Sequence, residues 1–485
     1  MNSPAAPTTA PDANPRVIPR AEHSVSRSDI SPNALRVLYR LRDGGFEAFL
    51  VGGCVRDLLL GIKPKDFDVA TDALPEQVKR LFRNCRLVGR RFRLAHVFFG
   101  RETIEVATFR AATAPSQGEE PLPDADPEEG EVPEIDEPGE VEAELAAIEA
   151  ETDTHRAIDE TGRIIRDNVY GSIGEDVWRR DFTANALYYN IADYSLWDYV
   201  GGAEDIAART LKLIGEPETR YREDPVRMLR AARFEAKLGF TLAPSTAAPL
   251  SPLRDLLGGV PPARLFDETL KLFLTGHGAR SLEVLRASGL LSVLLPTVDA
   301  YLRQHPNSLV EKLLMQGLRN TDARVIADRP VTPTFLFALL LYGPIAKAIE
   351  ATPPTQWHEL TTILDACDRA LRESQVHVAI PRRFALGVRE MFGLQPRLEH
   401  PRGRRALRVL EHPRFRAGYD LLLLRAEFGL ASRETAQWWT RLQEVSPEER
   451  AKMAETLEQS GTRREGARRG PRRRRRRNNR PANPA

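Results

Sequence analysis

Several residue types that would indicate a disulfide-linked or zinc-bound fold are scarce in this chain. Its 485 residues include only three cysteines and nine histidines. Cys54, Cys85 and Cys367 have neither disulfide-framework nor zinc-site spacing, which predicts a reducing, cytoplasmic location. The histidines never cluster at metal-ligand spacing and no His-Asp doublet occurs, so we expect no phosphohydrolase domain. We interpret His96, which lies within an apolar strand, as structural.

Long apolar runs are also missing. Even the stretch from Phe335 to Tyr342 is too short to cross a bilayer. The first residues are rich in Pro, Ala and Thr and lack a basic start followed by an apolar run, so we expect no signal peptide. The length predicts two or three domains rather than one.

The net charge of +2 conceals two segments of opposite charge. No Lys or Arg occurs between Arg110 and Arg156, where acidic residues and prolines accumulate. From Arg463 to Arg480 the chain is almost wholly Arg, Gly, Pro and Asn. Neither segment has enough apolar residues to offset the entropy of ordering, so we predict that both are disordered.

Two aspartates separated by one residue follow closely on a glycine pair. Side chains two apart on a strand point the same way, so Asp66 and Asp68 can converge on a pair of divalent ions. Gly52-Gly53 ends an apolar run and opens a helix, which leaves backbone N–H groups for a triphosphate. Alone, the glycine pair would be a turn and the aspartates a solvated loop. Together they are typical of metal-dependent nucleotidyl transfer.

Two later segments extend this pattern. They are Arg179-Arg-Asp-Phe-Thr-Ala-Asn-Ala-Leu187 and Glu223-Asp-Pro-Val-Arg-Met-Leu-Arg-Ala-Ala-Arg-Phe234. In this order the three segments resemble the class II nucleotidyltransferases, the family of bacterial poly(A) polymerases and CCA-adding enzymes. The run from Leu87 to Val97 and the arginine-rich end look like the poly(A) polymerase branch. The resemblance runs from about residue 30 to the tail, and the acidic insert is the main departure.

The element pattern and the resemblance predict an α+β fold, in which a small mixed-sheet head precedes an all-helical body. We predict strands over Phe46 to Val51, Phe67 to Ala70, Ala95 to Phe99 and Thr103 to Ala107, and helices over Asn33 to Arg42, Val55 to Leu60 and Pro75 to Phe82. We expect a flexible leader (1–29), a nucleotidyltransferase head (30–112), an acidic disordered insert (113–157), the rest of the head with a neck connection (158–215), a helical nucleotide-recognition neck (216–300), a helical RNA-binding body (301–455) and an arginine-rich disordered tail (456–485).

The reaction implied is attack of an RNA 3′-hydroxyl on the α-phosphate of ATP, with two Mg²⁺ ions that Mn²⁺ can replace. Asp66 and Asp68 would hold the metals, with Glu105 as a weaker further ligand. The resemblance places Asp181, on a helix with Arg180, in the same cleft as a third catalytic acid. The nucleotide-binding residues predicted are Gly52, Gly53, Arg56, Asp57, Arg180, Asn185, Glu223, Asp224, Arg227 and Arg230.

Several of these side chains also have a simpler interpretation. Arg230, with Arg233 on the same helix face, could be merely solvated. Arg56 could neutralise phosphate or be a surface arginine of an amphipathic helix. Asp181 could instead form a structural salt bridge with a neighbouring arginine, and Glu105 could be a charge on a strand face. Either Arg179 or Arg180 would face phosphate.

The segment that begins at Glu223 predicts a site for the edge of the base. Asp224 could be only a helix N-cap beside Pro225. Alternatively, Glu223, Asp224 and Arg227 present acceptors and a donor. Such a pair suits both adenine and cytosine and does not decide between them.

The leading hypothesis is template-independent addition of adenylates to single-stranded RNA 3′ ends, in mRNA processing and RNA turnover. The arginine-rich tail could also bind RNA-decay proteins. A CCA-adding tRNA nucleotidyltransferase shares all the acidic motifs and is the alternative within this chemistry. A catalytically silent RNA-binding scaffold is a third interpretation. Asp66, Asp68 and Asp181 argue against it, because clustered negative charge is costly to hold without a metal.

Overall fold

The computed structural model describes residues 14–89, 93–111, 157–158, 164–166, 169–329 and 331–468. Most of the predicted acidic insert, Arg90 to Phe92, and the predicted tail beyond Arg468 lie outside these residues. The chain divides into unit 1, Met1–Leu272 with Arg280–Leu294, and unit 2, Phe273–Ala279 with Leu295–Ala485.

Twelve strands occur among the described residues. They are β1 (Arg16–Ile18), β2 (Ala48–Val51), β3 (Asp68–Thr71), β4 (Cys85–Val88), β5 (Leu94–Phe99), β6 (Glu102–Thr108), β7 (Ala157–Ile158), β8 (Ile164–Arg166), β9 (Leu187–Asn190), β10 (Leu196–Asp198), β11 (Thr210–Leu211) and β12 (Thr241–Leu242).

The α-helices are α1 (Pro32–Asp43), α2 (Gly53–Leu59), α3 (Pro75–Leu81), α4 (Ile173–Arg179), α5 (Gly202–Ala207), α6 (Pro217–Glu223), α7 (Val226–Leu238), α8 (Pro244–Ala247), α9 (Leu250–Leu253), α10 (Pro262–Phe273), α11 (Gly278–Ala287), α12 (Leu291–Leu294), α13 (Pro296–Gln304), α14 (Leu309–Ile326), α15 (Pro333–Leu340), α16 (Tyr342–Glu350), α17 (Leu360–Gln375), α18 (Arg382–Glu399), α19 (Arg405–Leu410), α20 (Phe415–Glu427), α21 (Arg433–Glu444) and α22 (Pro447–Arg468).

Unit 1 is built on an eight-stranded sheet in the order β1-β10-β9-β2-β3-β6-β5-β4. Strands β3 and β6 are parallel and the other neighbours are antiparallel, so the predicted mixed sheet is confirmed. The β3–β6 register places Asp68 opposite Glu105. This pairing brings two of the predicted acids to adjacent strands.

Local sequence explains helix α1 and the packing of the chain around the two aspartates. Helix α1 begins where the Ser31 hydroxyl accepts the Asn33 N–H at 3.2 Å and Pro32 occupies the first turn. Phe67 is buried, as predicted, which anchors the chain between the two aspartates. One face of the sheet packs against α4 through a buried cluster, whose members are Phe49, Val51, Ala70, Phe109, Val177, Ala186, Tyr188 and Ile214.

Three expectations about element boundaries are wrong. Residues 14–29 were expected in a flexible leader, but β1 pairs with β10 as an edge strand, a contact with a segment about 180 residues away in sequence. Asp66 precedes β3 instead of lying on it. Helix α4 ends at Arg179, so Arg180 is its C-cap and Asp181 lies outside the helix.

All described elements of unit 2 are helices, which confirms the predicted helical body. Its cluster around the fully buried Trp439 includes Leu398, Phe415 and Tyr419. Helix α22 continues to Arg468, so the tail expected to be disordered from residue 456 is helical over its first part. Among the described residues no single helix is long and apolar enough to cross a membrane; only α15 and α16 pass that test as a pair, bent by 47°.

Candidate active site

The glycine turn lies next to the second aspartate. Gly52 has φ 78° and ψ −137° and precedes α2. A Cβ at this position would lie 3.7 Å from Asp68 Oδ2 and 3.8 Å from Arg180 Nη1. The turn, the carboxylate and the guanidinium therefore occupy one neighbourhood.

Asp68 lies in a negatively charged environment. Burial, the charge of Glu105 and, less strongly, that of Asp66 raise the pKa of Asp68 to about 6, although Arg180 acts in the opposite direction. Asp66 is exposed, and the Glu105 side chain is 52% exposed with its Oε1 3.7 Å from His96 Nε2. This excess negative charge is the kind that a divalent cation relieves.

The donor chemistry of this region fits magnesium, which prefers carboxylate, phosphate and water oxygens and usually takes only one or two carboxylates from the protein. Asp66 and Asp68 supply that number. In the described part of the head, no three His, Cys, Asp or Glu side chains come close enough together to enclose an ion. Substrate phosphates would therefore have to complete the coordination.

Arg56 is not a surface residue, so the simpler interpretation of it is wrong. Its side chain is 2% exposed. The guanidinium donates to Asp57 Oδ1 from Nε at 2.9 Å and to Asn185 Oδ1 from Nη1 at 2.5 Å. It also lies 5.8 Å from the centre of the Phe234 ring. Arg56 therefore joins the first motif to the second and third from within the core.

Arg180 is held by Tyr188, on strand β9, and by Asp176, on helix α4. Its Nε donates to the Tyr188 hydroxyl at 2.8 Å and its Nη2 donates to Asp176 Oδ2 at 3.1 Å. The Tyr188 hydroxyl also donates to Asp176 at 2.6 Å. These contacts fix the guanidinium next to Asp68.

Asp181 forms two ion pairs with α7. Its Oδ1 lies 3.3 Å from Arg227 Nε, and its Oδ2 lies 2.5 Å from Arg230 Nη2. The salt-bridge interpretation of Asp181 is therefore realised, with partners from α7 and not from its own segment. Asp181 of the second motif therefore pairs with Arg227 and Arg230 of the third motif.

The start of α7 carries a denser network than the sequence suggested. Asp224 Oδ1 accepts the Val226 N–H at 3.2 Å, as an N-cap would, while its Oδ2 accepts from Arg264 at 2.7 Å. Arg227 also binds Glu223 at 3.0 Å. Asp224 thus caps the first turn of α7 and also pairs with Arg264, while its role in contacting the base stays a prediction.

One cavity collects most of these side chains. It measures about 290 Å³ and is lined by Arg179, Arg180, Asp181, Asn185, Asp224 and Arg230. Every lining residue comes from the second or third motif. Five of the six are arginines or aspartates, and three of these are arginines, which makes the cavity suited to an anionic, hydrogen-bonding ligand.

Sequence reasoning missed two arginines of this network. Arg220 donates to Glu223 at 2.8 Å and to the Arg180 carbonyl at 2.9 Å. Its position three residues before Glu223 on α6 could have indicated the first contact. Arg264, on α10, has no local signal, because the carboxylate of Asp224 that it binds is 40 residues away.

Three family models match stretches of this chain. Residues 48–212 match the family described as "Poly A polymerase head domain", residues 239–302 match "Probable RNA and SrmB-binding site of polymerase A" and residues 355–480 match "Polymerase A arginine-rich C-terminus". The chain is 45% identical over 460 residues to a poly(A) polymerase I of Escherichia coli O6:H1, covering 93% of this chain and 91% of that protein.

More distant similarities are to a CCA-adding enzyme and to a tRNA-processing enzyme. A CCA-adding enzyme of Bacillus velezensis is 33% identical over 271 residues, 56% of this chain and 57% of its own length. A solved tRNA-processing enzyme complex is 21% identical, with a TM-score of 0.53, over 89% of this chain and 98% of its own. This last similarity bears on the fold alone.

Proposed function

The chain belongs to the poly(A) polymerase family of nucleotidyltransferases, and on that premise we propose that it adds adenylates from ATP to RNA 3′ ends without a template. The observation that carries the proposal is the charged cavity built from the second and third motifs, next to the Asp68 carboxylate. We propose that the substrates are mRNA and small RNAs in the cytoplasm, and that the added adenylates serve RNA turnover.

Asp66 and Asp68 are the proposed metal-holding residues. Two Mg²⁺ ions, or Mn²⁺ in their place, would activate the 3′-hydroxyl and neutralise the triphosphate. The Gly52-Gly53 turn and Arg180 are proposed to hold phosphate oxygens beside Asp68. Arg56 is proposed to act indirectly, because its buried guanidinium fixes Asn185 and Asp57.

Base selection is assigned to the start of α7. Asp224 and Arg227 can present an acceptor and a donor to the adenine edge, and Arg264, Asp181 and Glu223 fix their orientation. Arg230 is proposed to balance the charge of Asp181 until nucleotide binds. The same donor and acceptor pair also suits cytosine, which keeps CCA addition as the alternative.

Asp68→Asn tests the metal assignment. We expect it to lower Mg²⁺-dependent tailing by more than 100-fold, about 2.7 kcal/mol of transition-state stabilisation, because a neutral ligand leaves the metals under-neutralised. Asp66→Asn should behave alike. Asp255→Asn is the matched control, since that acid is 84% exposed in unit 1 and should leave tailing unchanged. A loss within about tenfold of wild type would contradict the assignment.

A further inference from the structure

We propose that His358, Glu399 and His400 form a zinc-binding site at one end of a helix hairpin in unit 2. One ligand atom from each of the three side chains lies within 4.8 Å of the other two. This site is independent of the proposed nucleotidyl transfer chemistry, and none of its residues belongs to the head.

Antiparallel packing brings the three residues together. His358 precedes α17, and Glu399 and His400 lie at the end of α18. The two helices pack against each other and are joined by a short connection over residues 376–381. The first turn of α17 therefore meets the last turn of α18, at the end of the hairpin that no local connection closes.

The ligand types and their arrangement favour zinc. Two imidazoles and one carboxylate form a ligand set found at zinc sites with an open position for water. The His358 and His400 rings are inclined at 78° with centres 6.2 Å apart, so they are not stacked face to face. Bonds of about 2.0 to 2.1 Å require the ligand atoms to close in to roughly 3.4 Å, and both exposed imidazoles can rotate to do so.

Glu399 is already oriented by a buried partner. Arg425 Nη1 donates to Glu399 Oε1 at 2.5 Å, and the same guanidinium binds the Tyr342 hydroxyl at 3.0 Å and Gln395 Oε1 at 2.9 Å. Such outer contacts fix metal-ligating carboxylates in protein sites. The arginine charge opposes a second cation, so affinity must come from the imidazoles. This predicts selectivity for zinc over magnesium and calcium.

The consequence of zinc binding is mechanical. An ion held by all three side chains would tie the first turn of α17 to the last turn of α18 and suppress local opening of the hairpin. We therefore expect zinc to slow amide hydrogen exchange over residues 357–362 and 397–401. Zinc should not change the rate of amide hydrogen exchange in the head.

The test uses the full chain without a polyhistidine tag, stripped with chelator and titrated with zinc by calorimetry in millimolar Mg²⁺. Magnesium would occupy the proposed carboxylate site of the head, but it competes poorly for imidazole. We expect one zinc equivalent. The variant carrying His358→Ala and His400→Ala should bind at least about 100-fold more weakly, since loss of even an outer partner of a metal ligand costs about 10- to 100-fold.

The matched control carries His305→Ala and His377→Ala, which remove two imidazoles of unit 2 outside the cluster. It should bind zinc as wild type does. His358→Ala alone, which leaves the Glu399–Arg425 pair intact, separates ligand loss from misfolding. Equal zinc affinity in the two double variants, an absence of binding by wild type, or exchange rates that zinc does not change would each overturn the proposal.

Discussion

Arg56 carries a positive charge into the interior of unit 1. A buried charge is tolerated only when it is paired and hydrogen-bonded, and Asp57 and Asn185 meet that need. The sequence predicts that Arg56 lies in the first turn of a helix but not that it is buried, because its partner Asn185 is 129 residues away. A residue proposed to contact phosphate is thus better explained as one that positions its neighbours.

The raised pKa of Asp68 predicts that the stability of the folded protein depends on pH. Its pKa is raised from 3.8 to about 6 on folding, so between these values the folded protein holds a proton that the unfolded chain releases. The free energy of unfolding therefore falls as pH rises through this window. Asp68→Asn removes the effect, and in metal-free buffer at pH 7 it should be more stable than wild type by up to about 3 kcal/mol.

The measurement is urea unfolding of both proteins with EDTA at pH 4 and pH 7. The stability difference between them should be small at pH 4 and large at pH 7. Adding Mg²⁺ at pH 7 should reduce it, because the cation neutralises the acids in wild type. A difference that does not depend on pH would contradict the raised pKa of Asp68.

At the scale of elements, the turn between β2 and α2 lies beside Asp68, where we propose that it holds phosphate. Its conformation at Gly52, with positive φ and strongly negative ψ, is open almost only to glycine. Gly52→Ala should cost about 1 to 3 kcal/mol of stability and abolish most tailing, since the strained turn would shift beside Asp68.

Gly258→Ala provides the comparison for that substitution, because a Cβ there meets no atom within 4 Å and the backbone is not in the positive-φ region. It should leave urea midpoint and tailing rate unchanged. If Gly52→Ala matched Gly258→Ala in both measurements, the turn would not be the phosphate-holding element.

The elements that sequence predicted best are those with local signals. The Ser31 cap, the Gly52 turn and the alternation around Phe67 each depend on neighbouring residues, and the structure has all three. Predictions failed where a contact with a segment far away in sequence determines the local structure. Pairing with β10 orders β1, and Arg264 binds Asp224 from another helix.

At the scale of the whole molecule, charge is separated along the chain. The segment after Arg468 lies outside the described residues and contains eight arginines. We expect truncation after Arg468 to weaken RNA binding and flatten its salt dependence, because each lost phosphate contact removes about 0.7 from the log-log slope on single strands. The tailing rate at saturating RNA should change little.

A full-length variant with these eight arginines replaced by lysine keeps the charge and should keep the slope. Fluorescence anisotropy with single-stranded RNA over a salt series measures both. An unchanged slope after truncation would mean that the segment acts on something other than RNA, such as an RNA-decay protein.

The choice of nucleotide tests the central claim most directly. The protein is given each NTP separately with Mg²⁺, on unstructured RNA with a free 3′-hydroxyl and on tRNA that lacks its terminal residue. We predict many adenylates from ATP on both RNAs and very few residues from CTP, GTP or UTP. Inactivity on unstructured RNA, combined with a stop after one adenylate on the tRNA, would contradict poly(A) synthesis and identify a CCA-adding enzyme.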